Sequence, residues 1–103
     1  MTDIERSYIK FGQSARAAWL YRRRTLSLAA SLIASPTLRR REYVQVKLGL
    51  LEIYKLISSR GRDLEWLERA YLALGELAGL VEEGSEPGVL LRLVDEIKRE
   101  LEA

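Results

Sequence analysis

The chain has 103 residues, 48% of them hydrophobic and 31% charged, which is typical of one folded domain with a single core. It contains no cysteine and no histidine, which excludes disulfides, thiolate metal sites and the commonest acid–base group. The net charge of +2 hides an asymmetry, because residues 1–42 hold nine Lys or Arg against three Asp or Glu, whereas residues 43–103 hold eight against twelve. A basic first half indicates an anionic partner, although the two halves could instead attract one another within the fold or a homodimer.

Asparagine is absent, and one methionine occurs beside abundant Glu, Arg and Lys. This composition is expected of a hyperthermophile protein, although a biased genome could also produce it. No apolar run approaches the length of a membrane span, and Met1 to Glu5 do not begin a signal peptide. We therefore expect a cytoplasmic protein that makes no membrane contact.

Apolar residues recur at intervals of three and four, which predicts an all-α, compact four-helix domain. The four helices are predicted at residues 4–34, 36–59, 64–83 and 89–101. Ser35 and Pro36 form a standard start signal for the second helix. The first helix carries an apolar stripe of Ile4, Tyr8, Phe11, Ala15, Ala18, Trp19, Leu26, Ala29 and Ile33. Arg22 interrupts this stripe, where a hydrophobic residue is expected.

The second and third predicted helices each have features that indicate how they pack. The second should be central, because it has two apolar edges, Val46–Leu50–Ile53–Ile57 and Val44–Leu48–Leu51. In the third, Asp63 is the predicted N-cap and Gly84 the residue that ends the helix. Gly75 and Gly79 lie four residues apart, which suggests a close contact with another helix.

Two runs of three arginines, Arg22–Arg24 and Arg39–Arg41, enclose a segment without any charge. Three consecutive helical positions cover about 200° of the helix, so one acidic face cannot neutralise a whole run. Unpaired bases stack on aromatic rings, while lysine and arginine contact phosphates. The candidate nucleic-acid-binding residues are therefore Lys10, Arg16, Trp19, Tyr21, Arg22, Arg23, Arg24, Arg39, Arg40, Arg41 and Tyr43.

Other interpretations of the same residues stay open. In a purely structural one, Trp19 belongs to the core and the arginines pair with the glutamates of residues 63–102. A basic amphipathic helix could also lie on a membrane surface, but the apolar stripe is needed for the core. Wide apolar faces are compatible with a helical adaptor or a homodimer. We expect no enzymatic activity, no metal and no cofactor, because the chain has no glycine-rich phosphate loop and its carboxylates lie on solvent faces.

The patterns Arg16-x-x-Trp19-x-Tyr21-Arg22-Arg23-Arg24 and Arg39-Arg40-Arg41-x-Tyr43, within a small helical domain of thermophile composition, resemble the ThermoDBP-related family of archaeal single-stranded nucleic-acid-binding proteins. That family binds single strands in a hydrophobic cleft between helices, with basic residues at its border and little sequence preference. The resemblance implies that Trp19 and Tyr43 stack on bases of single-stranded DNA or RNA, while the arginines hold phosphates. The alternative is a helical adaptor or oligomerisation subunit of a larger archaeal complex, such as the small subunit of a CRISPR effector.

Overall fold

The computed structural model describes the backbone of residues 3–103 and the side chains of residues 15–103. Its helices are α1 (Asp3–Ile33), α2 (Val44–Arg60), α3 (Leu64–Glu82) and α4 (Pro87–Glu102), and residues 3–103 contain no strand. The predicted all-α four-helix domain is confirmed. No helix in this part of the chain is long and apolar enough to span a membrane.

The prediction that the second helix begins at Pro36 is wrong. Pro36–Arg39 and Arg41–Tyr43 are two short 3-10 helices, separated by Arg40 in an extended conformation, and α2 begins only at Val44. Leu38 and Tyr43 are both buried. Five residues apart on an α-helix, they would point about 140° away from each other, so an irregular segment is needed to turn both side chains into the core.

The four helices pack around one core. Helix α1 contacts both α2 and α3, and α4 contacts the same two helices, so α2 and α3 lie at opposite corners of the bundle. Two parallel helices, α2 and α4, approach closely where a Cβ on Gly49 would collide with Cγ1 of Val94. The largest fully buried side chains come from the segment before α2 and from α2, α3 and α4: Leu38, Leu50, Ile53, Ile57, Leu67, Leu74, Leu77, Leu90 and Ile97.

The buried side of α1 differs from the predicted stripe. Thr25 is fully buried, whereas Trp19 is 53% exposed and Ala15 is also exposed. The Thr25 hydroxyl donates to the Tyr21 carbonyl oxygen at 2.6 Å, so its polar atom is satisfied within the helix. Among the described side chains of α1, from residue 15 onward, the buried ones are Ala18, Thr25, Ala29 and Leu32. The predicted stripe residues Ile4, Tyr8 and Phe11 lie outside the residues whose side chains are described.

The two ends of α3 agree with the predictions from sequence. The Asp63 carboxylate accepts a hydrogen bond from the Trp66 backbone N–H at 3.3 Å and so caps the helix N-terminus. Gly84 has a φ of 76°, and the next residue, Ser85, donates its N–H to the Leu80 carbonyl at 3.1 Å. This left-handed termination favours glycine, because a side chain would strain the backbone there.

Two expectations about surfaces are corrected. Gly75 and Gly79 make no close contact with another helix in the described part of the chain, since a Cβ added at either would meet nothing within 4 Å. The two apolar edges of α2 also differ: one is buried as predicted, but the other remains on the surface. That second edge consists of Val44, Leu48 and Leu51, which we call the apolar edge of α2.

Candidate nucleic-acid interface

Arg22 lies on the side of α1 that faces α2, and its side chain forms a hydrogen bond with the backbone of α2. Its Nη2 donates to the Ser58 carbonyl oxygen at 2.8 Å. Ser58 belongs to the last turn of α2, where carbonyl groups lack intrahelical partners and the helix dipole is negative. The guanidinium therefore joins α1 to α2 rather than pairing with a buried acid.

Trp19 is a surface residue with a cation on its ring. The guanidinium carbon of Arg23 lies 4.9 Å from the centroid of the Trp19 ring, which is the geometry of a cation–π contact. The two residues are one helical turn apart on α1, and both are exposed. The hypothesis that Trp19 belongs to the core is wrong, and its indole offers apolar area to a ligand.

A shallow recess of about 300 Å³ continues this surface along α1. It is lined by Leu20, Arg23, Arg24 and Ser27, so an exposed leucine and two arginines share this recess. Leu20 is absent from the residues that the sequence analysis selected, although its position on the side of α1 away from Ala18 indicates exposure. We define the Trp19 surface as Arg16, Trp19, Leu20, Arg23 and Arg24.

The two candidate tyrosines have structural roles instead. Tyr21 is partly buried and packs edge-on against Tyr71, with ring centroids 6.1 Å apart and an interplanar angle of 88°. Tyr43 is only 4% exposed, and its hydroxyl donates to the Ser85 carbonyl oxygen at 3.0 Å. Because no face of its ring is open, the role that the resemblance implied for Tyr43 is contradicted: a base cannot stack on it in this fold.

The arginines of the surface are not neutralised by the acidic second half. Within residues 15–103, only Arg40 of the candidate arginines forms an ion pair, between its Nε and a Glu42 carboxylate oxygen at 3.1 Å. The other exposed candidates have no carboxylate within 4.0 Å among the described side chains: Arg16, Arg23, Arg24, Arg39 and Arg41. The structural interpretation, in which glutamates of residues 63–102 pair with these arginines, is therefore not supported by the described side chains.

The two arginine runs form separate basic regions. Ile33, at the end of α1, lies nine positions after Arg24, a rise of about 14 Å. The second run, Arg39–Arg41, follows beyond that end in the irregular segment before α2, and we call it the arginine connection. All three of its side chains are exposed. Lys10, the remaining candidate, lies outside the described side chains.

No cluster of three or more acidic residues that could hold a metal ion occurs among the described residues. Glu52 is a carboxylate of α2 whose pKa departs from its ordinary value. A hydrogen bond from the Lys98 ammonium holds the Glu52 pKa below that value, and the same bond raises the pKa of Lys98. This pair lies between α2 and α4, away from the Trp19 surface on α1.

Comparisons of the chain with protein-family models, with curated proteins and with solved structures find no match. The resemblance to the ThermoDBP-related family therefore stays a prediction from sequence. The feature of this chain that most clearly indicates a function is an exposed indole surrounded by arginines that have no carboxylate partner among the described residues.

Proposed function

We propose that this protein binds single-stranded DNA or RNA through the Trp19 surface, without catalysis. The observation that carries the proposal is the group of unneutralised arginines around Trp19, which is exposed over half of its area. Arginine suits this role because its planar, weakly hydrated guanidinium can both stack on a ring and donate two hydrogen bonds to a phosphate. Leu20 adds apolar area for the sugar or base.

Stacking on Trp19 favours single strands over duplexes. Bases of a duplex are already stacked and paired, whereas an unpaired base exposes both ring faces to a protein. Arg23 lies over one face of the Trp19 ring, so a base can stack on the opposite face or replace the guanidinium. A displaced Arg23 becomes available to a phosphate. Since every base has such a face, we expect little sequence preference.

The arginine connection supplies the second basic region for a strand that follows α1. The distance of about 14 Å from Arg24 to the end of α1 requires a strand of several nucleotides to reach both regions. Short oligonucleotides should therefore use the Trp19 surface alone, and longer ones should bind more tightly.

Fluorescence anisotropy with a labelled single-stranded oligonucleotide tests the proposal at low and moderate salt. Trp19→Ala should weaken binding by about 5- to 150-fold, corresponding to about 1–3 kcal/mol for a lost stacking contact. Val89→Ala is the matched control, because Val89 is an exposed apolar residue on α4 and its loss should leave binding unchanged. Absence of binding by the native protein at low micromolar concentration and low salt would sink the proposal.

Intrinsic fluorescence provides an independent measurement. Trp66 is the other tryptophan, and its Nε1 donates to the Leu101 carbonyl oxygen at 3.2 Å. A Trp66→Phe variant leaves Trp19 as the sole indole. Its emission should be quenched on adding the oligonucleotide, and quenching should be absent when Arg23 and Arg24 are both replaced by glutamine.

A second candidate is an adaptor or oligomerisation subunit of a larger archaeal complex, favoured by the exposed apolar edge of α2. A protein whose only partner is another protein should bind no oligonucleotide, and an oligonucleotide should leave its complex unchanged in sedimentation. The proposed setting for either function is the cytoplasm of a hyperthermophile, on the basis of composition.

A further inference from the structure

The apolar edge of α2 is a line of large aliphatic side chains on the surface. Val44, Leu48 and Leu51 are 48%, 49% and 38% exposed, and their spacing of four and three places them on one side of the helix. Each lies two residues before a buried residue of α2, and so about 200° from the core. A continuous exposed apolar line of this kind is a feature of surfaces that bind another molecule.

The charges beside this edge are positive. Lys47 and Lys55 form no ion pair among the described side chains. The two acidic residues in the same part of the chain have other basic partners. Glu42 forms an ion pair with Arg40, and Glu52 accepts a hydrogen bond from Lys98 at 2.8 Å. The edge therefore suits a surface that combines an apolar side chain with carboxylates.

The outer face of α3 has that chemistry. Leu72 is 69% exposed and lies on the side of α3 opposite the buried Leu74 and Val81. Gly75 and Gly79 have no side chains, and a Cβ at either position would meet nothing within 4 Å. The surface beside Leu72 therefore has no side chains at these two positions and leaves room for another molecule. Four charged residues lie around Leu72 on this face, three glutamates and one arginine, so the face is acidic on balance; none of them forms an ion pair within 4.0 Å among the described side chains: Glu65, Glu68, Arg69 and Glu76.

We propose that the apolar edge of α2 binds the outer face of α3 in a second copy of this chain. Leu72 would pack against Val44, Leu48 and Leu51, while Lys47 and Lys55 face the glutamates of the partner. Two copies paired through the same edge would instead oppose lysines to lysines. Charge complementarity therefore selects contact between unlike faces.

Contact between unlike faces produces an open row of copies rather than a closed pair. Because α2 and α3 lie at opposite corners of the bundle, the two faces of one copy point in opposite directions. Each added copy leaves one face free for the next, which is the geometry of a head-to-tail assembly. The Trp19 surface belongs to α1, at a third corner, so it stays uncovered along the row.

Sedimentation velocity without nucleic acid tests this assembly. The weight-average mass of the native protein should rise from the monomer value of 11.8 kDa, and continue beyond twice that value, as the concentration increases from micromolar to millimolar. Leu48→Gln should hold the protein at the monomer mass over the same range. Because Leu48 is half exposed, this variant keeps its core intact.

A pair of charge reversals identifies the faces. One variant carries Lys47→Glu and Lys55→Glu, the other Glu68→Lys and Glu76→Lys, and each alone should stay monomeric because its two faces repel. An equimolar mixture should assemble again, since each altered face now meets its opposite charge in the other variant. The control, Arg92→Glu with Arg99→Glu, changes the net charge as much as the lysine variant does but on α4, and should assemble as the native protein does.

Three outcomes overturn the proposal. The native protein could remain monomeric at all concentrations, the mixture could fail to assemble, or the Glu68→Lys/Glu76→Lys variant could still dimerise alone, which would show a symmetric α2 pair. None of these outcomes depends on nucleic-acid binding, because no oligonucleotide is present.

Discussion

Arg22 shows how a charged side chain can lie on a helix face that is otherwise buried. The side chain is half-buried, and its guanidinium reaches the Ser58 carbonyl oxygen at the end of α2. That carbonyl is an unpaired acceptor at the negative end of a helix dipole, so the cation is favoured there. The sequence periodicity shows that a charged residue interrupts an apolar stripe here. It does not show that the hydrogen-bond partner is Ser58, which lies 36 residues further along the chain.

Arg22→Ala should lower the free energy of unfolding by about 1 kcal/mol, because a charged donor to an unpaired helix carbonyl is lost. Urea denaturation measures the effect. Arg24→Ala is the control: this arginine is exposed and has no carboxylate partner among the described residues, so its loss should change stability by less than about 0.5 kcal/mol. Equal stability of the two variants would show that the Arg22–Ser58 bond contributes nothing.

Tyr43 is a second residue whose role depends on its surroundings. It follows the arginine connection directly and so invites a functional interpretation. Its ring is nevertheless buried, and its hydroxyl joins the start of α2 to the loop between α3 and α4 through Ser85. The hydroxyl of a buried tyrosine usually needs such a partner, which explains the contact in structural terms.

Tyr43→Phe should destabilise the fold by about 1 kcal/mol and leave oligonucleotide affinity unchanged, because the lost hydrogen bond is structural. Thermal unfolding and fluorescence anisotropy on the same sample separate these two effects. If the variant has the thermal midpoint of the native protein but a lower affinity for the oligonucleotide, the Tyr43 hydroxyl takes part in binding.

At the scale of the helices, glycine marks close approach at only one of the three helical positions considered. Gly49 is buried where α2 meets α4, and an added Cβ would collide with Cγ1 of Val94. Gly75 and Gly79 are equally helical but face open space. Their spacing in the sequence suggests a helix contact that the monomer does not make. Both glycines belong to the outer face of α3, beside Leu72.

Gly49→Ala should destabilise the protein, because overpacking of a tight core costs about 1–3 kcal/mol and exceeds the gain of about 1 kcal/mol in helix propensity. Gly75→Ala gains the same propensity without a clash, so it should stabilise the protein by about 1 kcal/mol. Opposite shifts of the thermal midpoint are expected from the same substitution. If both variants are stabilised, α2 and α4 can separate enough to admit a methyl group.

At the scale of the whole molecule, many charged side chains of both halves of the chain lie on the surface without an ion-pair partner among the described residues. The described side chains form only three ion pairs, and none of these joins an arginine of the first half to a glutamate of α3 or α4. The fold thus presents basic residues on α1 and before α2, and acidic residues on α3. Such a distribution suits a polyanion on one side and association between copies on others.

Salt dependence of binding should report how many phosphates the protein contacts. Each neutralised phosphate of a single strand contributes about 0.7 to the slope of log affinity against log salt concentration, so Arg23→Gln with Arg24→Gln should reduce the slope by about 1.4. Anisotropy titrations at several salt concentrations measure it. Removal of two exposed arginines from α4, by Arg92→Gln with Arg99→Gln, should leave the slope unchanged, and an equal reduction would show that only net charge matters.

The number of helices and the ends of most of them can be predicted from the amino-acid sequence, because these depend on local rules. The 3.6-residue periodicity, the Asp63 cap and the Gly84 termination act within a few residues of the chain. The start of α2 is different: Ser35 and Pro36 are a correct start signal, but the need to bury both Leu38 and Tyr43 limits the first turns to 3-10 geometry.

Which side chains are buried depends on how the helices pack against one another, and the sequence pattern does not show this. Hydrophobicity favours Trp19 over Thr25 as a core residue, yet Thr25 is buried and Trp19 is exposed. The reason is that α1 packs between α2 and α3, and a line of Ala18, Thr25 and Ala29 lets both helices approach closely where an indole would hold them apart. In α2, likewise, two edges of similar apolar character compete, and the positions of α1 and α4 bury one and leave the other on the surface.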